Sequence, residues 1–176
     1  MGAAAGFRFL ETNARLQVEH AVTEEVTGLD LVASRIRLAA GAAIDEVVPE
    51  TVAIEGHALE ARVYAEDPRR FLPSPGELRV FRPPADARIR VETGYAQGAT
   101  VTPYYDPLLA KVIVRARSRE GAITALDDAL RAFAVAGVKT NIPFLHQALN
   151  DEDFRDGRVH TGLAGQVLAA KAAQSE

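Results

Sequence analysis

The chain has 176 residues, of which 48% are hydrophobic and 25% charged, a composition typical of a soluble globular protein with one moderate domain, or one domain and part of another. Its net charge of −4, with lysine and arginine dispersed along the chain, argues against a nucleic-acid-binding surface, and the lack of cysteine excludes disulfides and thiolate metal sites. No apolar run has the length of a membrane span and no signal-peptide pattern opens the chain, so we expect no membrane association and a cytoplasmic location.

The first predicted elements are a strand and a helix. Residues 1–6 are low in complexity and are interpreted as a cloning remnant or an abrupt truncation point, and a strand is predicted over residues 7–13. Residues 27–30 have the spacing of a capping box, with Asp in place of the commoner Glu, and the helix that they begin is predicted to end at Gly41. Residues 42–55 are predicted to form a loop and the boundary between two units.

Alternating strands are predicted after this boundary. Leu59, Ala61, Val63 and Ala65 recur at every second position, which places them on one face of a strand. Further strands are predicted over residues 77–81, 88–92 and 109–116. Because no helical crossover fits between these strands, the sheet is expected to be mainly antiparallel.

Helices dominate the last third of the chain. Ser118 is predicted to cap the clearest helix and Gly137 to close it, because apolar residues recur between them at spacings of three and four. Asn141 is predicted to cap a shorter helix, and a final helix is predicted from Thr161 to Ala173. Strands followed by helices indicate an α+β fold, with packed helices on a mainly antiparallel sheet.

The most informative segment is residues 9–20. Read as extended backbone, it places Glu11, Asn13, Arg15, Gln17 and Glu19 on one face. Carboxylate and amide oxygens suit a hard cation such as Mg²⁺, a guanidinium can grip an oxyanion, and a further carboxylate can move a proton. A solvated strand face is the alternative for any one of these residues, but the whole combination favours a site. The opposite face carries side chains that can pack: Leu10, Thr12, Ala14, Leu16 and Val18.

These residues resemble the end of the ATP-grasp domain of biotin carboxylases. The segment reads Glu-x-Asn-x-Arg-x-Gln-Val-Glu-His, followed by Val-Thr-Glu and Thr-Gly-x-Asp-Leu-Val. The resemblance covers residues 7 to about 163, and its other matching segments are 56–62, 65–68, 72–76, 104–107, 110–111 and 137–141. Ala14 stands where the family usually has Thr and Ala21 where it usually has Pro, and neither change removes a group that the chemistry uses.

The resemblance implies a division of the chain into three parts. Residues 1–50 would be the C-terminal end of the ATP-grasp domain, residues 51–165 the biotin carboxylase C-terminal domain, and residues 166–176 a helical tail. Fold and domain order would then be those of the C-terminal portion of a biotin carboxylase.

The resemblance also implies a reaction, in which MgATP phosphorylates bicarbonate and the resulting carboxyphosphate supplies CO₂ to the ureido nitrogen of biotin. The implied cofactors are ATP, Mg²⁺ or Mn²⁺, and biotin held on a separate carrier. The implied roles are metal binding by Glu11 and Asn13, ATP contact by Glu11, bicarbonate binding by Arg15, Gln17 and Val18, and general base catalysis by Glu19.

Three residues further along the chain receive roles from the same resemblance. Arg62 would stabilise the negative charge that builds on the ureido oxygen of biotin, the alternative being an arginine on the polar face of a strand. Asp106 would lie at a subunit interface, although a turn residue is a strong alternative for it. Thr161 would approach the adenine of ATP.

The sequence contains neither a glycine-rich phosphate loop nor a lysine pair upstream of residue 11. The resemblance therefore implies half of an active site, inactive alone, whose partners are an N-terminal ATP-grasp lobe, a biotin carboxyl carrier protein or domain, a carboxyltransferase and a second copy in a homodimer. Two alternatives stay open: another ATP-grasp ligase such as a carbamoyl-phosphate synthase, and a non-catalytic folding or dimerisation module. The final acceptor, whether an acyl-CoA, pyruvate or urea, is not indicated.

Overall fold

The computed structural model describes residues 9–173, with side chains described as far as residue 170. Within this range no helix combines the length and the apolar character that crossing a membrane requires. The helices are α1 (His20–Thr27), α2 (Leu31–Ala39), α3 (Ile44–Val47), α4 (Arg119–Ala132), α5 (Ile142–Asn150), α6 (Glu152–Arg155) and α7 (Leu163–Ala173). The strands are β1 (His57–Tyr64), β2 (Gly76–Glu77), β3 (Val80–Arg82), β4 (Ile89–Thr93), β5 (Thr100–Val101), β6 (Leu108–Ala116) and β7 (Ala134–Ala136).

The main sheet has three antiparallel strands in the order β1-β6-β4. Helix α4 packs on one face of it, where the buried residues of alternating strand positions meet the apolar stripe of the helix. This apolar core includes Ala61, Val63, Ala65, Ala110, Val112, Val114, Ile123, Leu126 and Leu130. Helix α1 also contacts β1 and β6. The fold is therefore α+β with a mainly antiparallel sheet, as the sequence predicts.

Two small antiparallel pairs, β2-β5 and β3-β7, extend the structure beyond the main sheet. The predicted end of α4 at Gly137 is wrong. The helix ends at Ala132, and the residues of β7 that follow it pair with β3. Gly137 has φ +109°, and a Cβ at this position would lie 1.9 Å from the carbonyl oxygen of Glu77. Glycine is therefore required by the close approach of two backbones after β7.

The beginning of the chain departs most from the sequence-based expectation. The predicted strand over residues 7–13 is wrong for residues 9–13, which form no strand because no described segment pairs with them, and residues 7 and 8 lie outside the described range. The predicted capping box is also wrong, because Thr27 ends α1 and the N-cap of α2 is Asp30, whose carboxylate accepts a hydrogen bond from the Ala33 N–H at 2.7 Å. The expected loop after Gly41 contains the short helix α3.

Helix α5 begins at the predicted position, but the side chain of its N-cap residue bonds to β1 instead of to the helix. Asn141 occupies the N-cap without capping the helix through its side chain. Its Oδ1 accepts from the Tyr64 N–H at 2.9 Å, and its Nδ2 donates to the Arg62 carbonyl at 3.0 Å. Because Asn141 is buried, these two bonds tie α5 to the end of β1.

Candidate functional site

A cleft of about 550 Å³ opens between residues 11–20 and the helices α1 and α2. Five polar side chains that the sequence placed on one face line this cleft: Glu11, Asn13, Arg15, Gln17 and Glu19. Ala14 and Leu16, which the alternation placed on the packing face, also line it, and Leu10 is 89% exposed. The alternation fails here because the segment bends at Arg15 and has no sheet partner to hold a regular pleat.

The polar groups of the cleft are available for a ligand. Within residues 9–173, the side chains of Glu11, Asn13 and Glu19 form no hydrogen bond or ion pair. The guanidinium of Arg15 donates only to the neighbouring Leu16 carbonyl, at 3.4 Å. Carboxylate, amide and guanidinium groups that share a cleft without neutralising one another can hold a metal ion and an anion together.

A turn before α1 fixes the backbone beside Glu19. The Gln17 carbonyl accepts hydrogen bonds from the backbone N–H of His20 at 3.3 Å and from its Nδ1 at 2.8 Å. Glu19 itself is the N-cap residue of α1, and its carbonyl accepts from the Val22 N–H at 3.2 Å. The helix start therefore sets the backbone of Glu19, while its carboxylate stays free at the cleft.

Val18 differs from its neighbours because it does not line the cleft. Its carbonyl oxygen accepts a hydrogen bond from the Nζ of Lys111 on β6, at 2.8 Å. Lys111 is 7% exposed and also pairs with Glu92 of β4, at 2.5 Å from its Oε2. Arg90 in turn pairs with Glu92 and with Glu24 of α1.

Arg62 lies on β1 directly opposite Lys111 of β6, so the two side chains share one face of the sheet. Its side chain is exposed, and it does not line the cleft. Since Lys111 reaches the Val18 carbonyl, the sheet brings Arg62 to the face on which the cleft segment is attached.

Asp106 and Thr161 lie away from the cleft. The Oδ1 of Asp106 accepts from the Leu108 N–H at 2.9 Å, a local bond typical of a turn residue. Thr161 is exposed in the turn before α7.

Sequence reasoning missed the burial of the Glu60 carboxylate, two positions before Arg62 on β1. Both of its carboxylate oxygens are buried without a hydrogen-bond partner in the part of the chain that the structure describes. Burial raises the pKa of this carboxyl above its usual value, and the nearby cations of Lys111 and Arg62 offset that effect only in part. The alternation of β1 places Glu60 and Arg62 on the same face of the strand. The sequence of one strand does not show which other segment covers that face, so the burial of Glu60 could not be predicted.

One further acidic cluster has the spacing of a metal site but the contacts of an ion-pair network. Ligand atoms of His20, Glu24 and Glu92 lie within 4.8 Å of one another. Arg90 and Lys111 already pair with the two carboxylates, and hydrogen bonds from these cations outweigh burial to lower the pKa of Glu92. Two neighbouring cations disfavour a third, so the better candidate for Mg²⁺ is the oxygen pair of Glu11 and Asn13.

Comparison with known families separates the two parts of the chain. Residues 60–166 match the biotin carboxylase C-terminal domain, and residues 2–47 match the ATP binding domain of the carbamoyl-phosphate synthase L chain. The chain belongs to the biotin carboxylase family.

Curated members of this family are similar over most of the chain. Biotin carboxylase 2 of Bacillus subtilis is 48% identical over 162 residues, which are 92% of this chain and 36% of that protein. The alpha subunit of the mitochondrial methylcrotonoyl-CoA carboxylase of Rattus norvegicus is 43% identical over 168 residues, 94% of this chain and 23% of that protein. The chain thus spans about a third or less of the length of these relatives.

Solved structures of biotin carboxylase domains have the same fold. The biotin carboxylase domain dimer of the Hydrogenobacter thermophilus 2-oxoglutarate carboxylase, in complex with MgADP, ADP and bicarbonate, matches with a TM-score of 0.83 and 40% identity, over 89% of this chain and 35% of that one. The complete multifunctional pyruvate carboxylase of Rhizobium etli matches with a TM-score of 0.88 and 39% identity, over 93% of this chain and 16% of that one.

Proposed function

We propose that this chain supplies part of the active site of a biotin carboxylase, which uses MgATP and bicarbonate to carboxylate biotin on a carrier protein. The observation that carries the proposal is the cleft itself. It gathers Glu11, Asn13, Arg15, Gln17 and Glu19, and in the described structure none of these side chains forms an ion pair and Arg15 alone forms a hydrogen bond, to the neighbouring Leu16 carbonyl. The bicarbonate and MgADP bound to the Hydrogenobacter thermophilus domain are the ligand types that these groups suit.

The metal and nucleotide end of the site is assigned to Glu11 and Asn13. Their side-chain oxygens are the ligands that Mg²⁺ or Mn²⁺ accepts, and Mg²⁺ usually completes its coordination with substrate phosphates and water. A bound divalent ion would offset the negative charge of the ATP phosphates during transfer. Glu11 would also contact ATP through this ion, and Thr161 is proposed to approach the adenine.

The bicarbonate end of the site is assigned to Arg15, Gln17 and Val18. A guanidinium matches the planar oxyanion through two parallel hydrogen bonds, and Arg15 has no competing carboxylate in the described structure. Glu19 would then take the proton from bicarbonate and so make its oxygen a better nucleophile toward the γ-phosphate of ATP.

Transfer to biotin is assigned to Arg62. As the ureido N–H is removed, negative charge builds on the ureido oxygen, and a fixed guanidinium can stabilise that charge. The backbone of Arg62 is held by Asn141, and its side chain is exposed on the sheet face that attaches the cleft segment. A fixed backbone and an exposed guanidinium would allow Arg62 to contact biotin that a separate carrier delivers.

The remaining assignments concern domains and partners. We propose that residues 1–50 end an ATP-grasp domain, that residues 51–165 form the biotin carboxylase C-terminal domain, and that residues 166–176 form a helical tail. An N-terminal ATP-grasp lobe, a biotin carboxyl carrier, a carboxyltransferase and a second copy would complete the working enzyme, with Asp106 at the subunit interface. Cytoplasm is the proposed location.

Replacement of Glu19 by Gln tests the proposed function in the complete enzyme that contains this sequence. Glu19→Gln should keep MgATP binding and lose bicarbonate-dependent ATP cleavage by roughly 10²–10⁴-fold, because a positioned base has been removed. Glu50→Gln is the matched control, since Glu50 is exposed and lies outside the cleft. Unchanged turnover in Glu19→Gln would remove this residue, and the proposed cleft chemistry, from the mechanism.

The alternatives predict different results. A carbamoyl-phosphate synthase would share the motif of the cleft, but the match of residues 60–166 to the biotin carboxylase C-terminal domain favours the carboxylase. A non-catalytic dimerisation module would sediment as a stable dimer and would contribute nothing to nucleotide binding. Because the proposed enzyme is also a dimer, the MgATP titration of the complete enzyme and its Glu11→Gln variant decides between the two: weaker MgATP binding in the variant supports the proposal, and equal binding supports the non-catalytic module.

A further inference from the structure

The cleft segment is attached to the rest of the molecule by few contacts. Residues 9–19 form no helix or strand, and the hydrogen bonds of Gln17 and Glu19 are local. Among the hydrogen bonds of residues 9–173, the only one that joins this segment to a distant part of the chain runs from the Lys111 Nζ to the Val18 carbonyl, at 2.8 Å. This bond spans 93 positions of sequence and ends next to Glu19.

Lys111 is well suited to hold a backbone group in place. It lies on the central strand of the main sheet and is 7% exposed, so its side chain has little freedom. A lysine this buried needs partners for its charge, and the carboxylate of Glu92 lies 2.5 Å away. The remaining donor capacity of the ammonium is directed at the Val18 carbonyl.

The same network holds the helices that follow the cleft segment. Arg90 pairs with Glu92 and lies 2.7 Å from the Oε2 of Glu24, while the Oε1 of Glu24 accepts from the Leu31 N–H at 2.7 Å. Glu24 is 8% exposed and belongs to α1, and Leu31 is the first residue of α2. The charged face of the sheet therefore holds two segments that border the cleft: residues 9–19, through the bond from Lys111 to Val18, and the start of α2, through Arg90 and Glu24.

We propose that Lys111 is a positioning residue for catalysis: by holding the Val18 carbonyl it sets the place of the Glu19 carboxylate and of the bicarbonate-binding backbone beside it. This inference rests on the proposed function. Lys111 touches neither bicarbonate nor biotin in this role, and it acts through the segment that does. A displacement of about 1 Å at a reacting group is enough to cost of the order of 10²-fold in rate.

The test compares Lys111→Met with Lys139→Met in the complete enzyme. Lys139 also forms an ion pair, with Asp67 at 2.9 Å, but its side chain is 64% exposed, and it lies between β7 and α5 and does not line the cleft. Lys111→Met should lower kcat for bicarbonate-dependent ATP cleavage by about 10²-fold and raise KM for bicarbonate, with KM for MgATP unchanged, whereas Lys139→Met should behave as wild type. Lys111→Arg, which keeps a cationic donor, should restore most of the activity.

Two readouts distinguish positioning from general stability. Amide hydrogen exchange of residues 17–20 should become faster in Lys111→Met, while exchange within β1 and α4 stays unchanged. The double variant Lys111→Met/Glu19→Gln should have the same kcat as Glu19→Gln alone, because Lys111 affects kcat through Glu19. If Lys111→Met does not fold, Lys111→Gln, a shorter and neutral polar side chain that removes the ammonium from the Val18 carbonyl, carries the same expectations.

The outcomes separate this inference from the proposed function. If Glu19→Gln is inactive while Lys111→Met matches Lys139→Met, or if the losses in kcat multiply in the double variant, the positioning role is overturned and the proposed function stands. If Glu19→Gln retains full turnover, the proposed function itself fails.

Discussion

Glu60 and Arg62 stand two positions apart on the same face of β1 but in different surroundings. The carboxylate of Glu60 is buried without a hydrogen-bond partner in the described structure, whereas the guanidinium of Arg62 is exposed. The exposed guanidinium of Arg62 can therefore contact a substrate from outside the chain. The protonation state of the buried Glu60 carboxyl depends on its surroundings.

The first prediction concerns the pH dependence of stability at Glu60. Its pKa is raised in the folded state, so the stabilisation from its protonated form is complete below the ordinary value of 4.5 and is lost as the pH rises through the folded-state pKa. Glu60→Gln, which cannot ionise, should therefore increase the free energy of unfolding at neutral pH relative to wild type, and by less at pH values below 4.5.

Urea denaturation at neutral and acidic pH measures this difference. Glu50→Gln, a change at an exposed loop position, is the control and should show no such pH dependence. A Glu60→Gln variant whose effect on stability is the same at both pH values would contradict the prediction.

The second prediction concerns Arg62, in the complete enzyme. Arg62→Ala should slow carboxyl transfer to biotin more than it slows biotin-independent ATP cleavage, because the charge that Arg62 stabilises in the proposed function develops only on the ureido group. The loss of one such contact corresponds to roughly 2.7–4 kcal/mol of transition-state stabilisation. Arg82→Ala, at an exposed position of β3, serves as control. Equal losses in the two assays would mean that Arg62 has a structural role.

At the scale of elements, the contacts between β1, α5 and the first helices determine how the parts of the molecule are held together. Asn141 joins α5 to β1 through two backbone groups, and the Arg90–Glu24 pair joins α1 to the main sheet. Both contacts are polar and at least partly buried, so the loss of one partner leaves the other with fewer hydrogen bonds in a poorly solvated place.

The third prediction tests the first of these contacts. Asn141→Ala should lower the free energy of unfolding by about 1–3 kcal/mol, because the Tyr64 N–H and the Arg62 carbonyl each lose a hydrogen bond in a poorly solvated place. Asn150→Ala is a suitable control, since its amide bonds only to His146 within α5 and is exposed. Urea denaturation of the two variants makes the comparison, and similar losses in both would show that the bridge contributes no more than an ordinary surface bond.

At the scale of the whole molecule, the question is what these 176 residues do by themselves. Glu11 and Asn13 offer oxygen ligands, but the sequence holds no glycine-rich loop to surround phosphates with N–H groups. Its lysines are Lys111, Lys139 and Lys171, all of them far along the chain from the cleft motif.

The fourth prediction is that this chain alone binds MgATP weakly and does not turn it over. Mg²⁺ needs phosphates held in place to complete its coordination, and this sequence has no glycine-rich loop whose N–H groups would bind them. Isothermal titration of MgATP with a parallel phosphate-release assay provides the measurement. Micromolar affinity together with biotin-dependent turnover would show instead that a complete active site lies in these residues or forms between copies.

The sequence by itself determined the α+β fold, the apolar faces of β1 and α4, and five of the polar side chains that line the cleft, because each of these depends on residues close together in the chain. The motif of residues 11–19 predicted which side chains would share a cleft, although it wrongly predicted a strand, since a strand requires a partner elsewhere. Only the tertiary structure decided where Gly137 lies, what Asn141 binds, that Glu60 is buried, and that Lys111 reaches Val18. Burial and hydrogen bonding between residues 60 to 93 positions apart depend on how sheets and helices pack, and no local pattern encodes that.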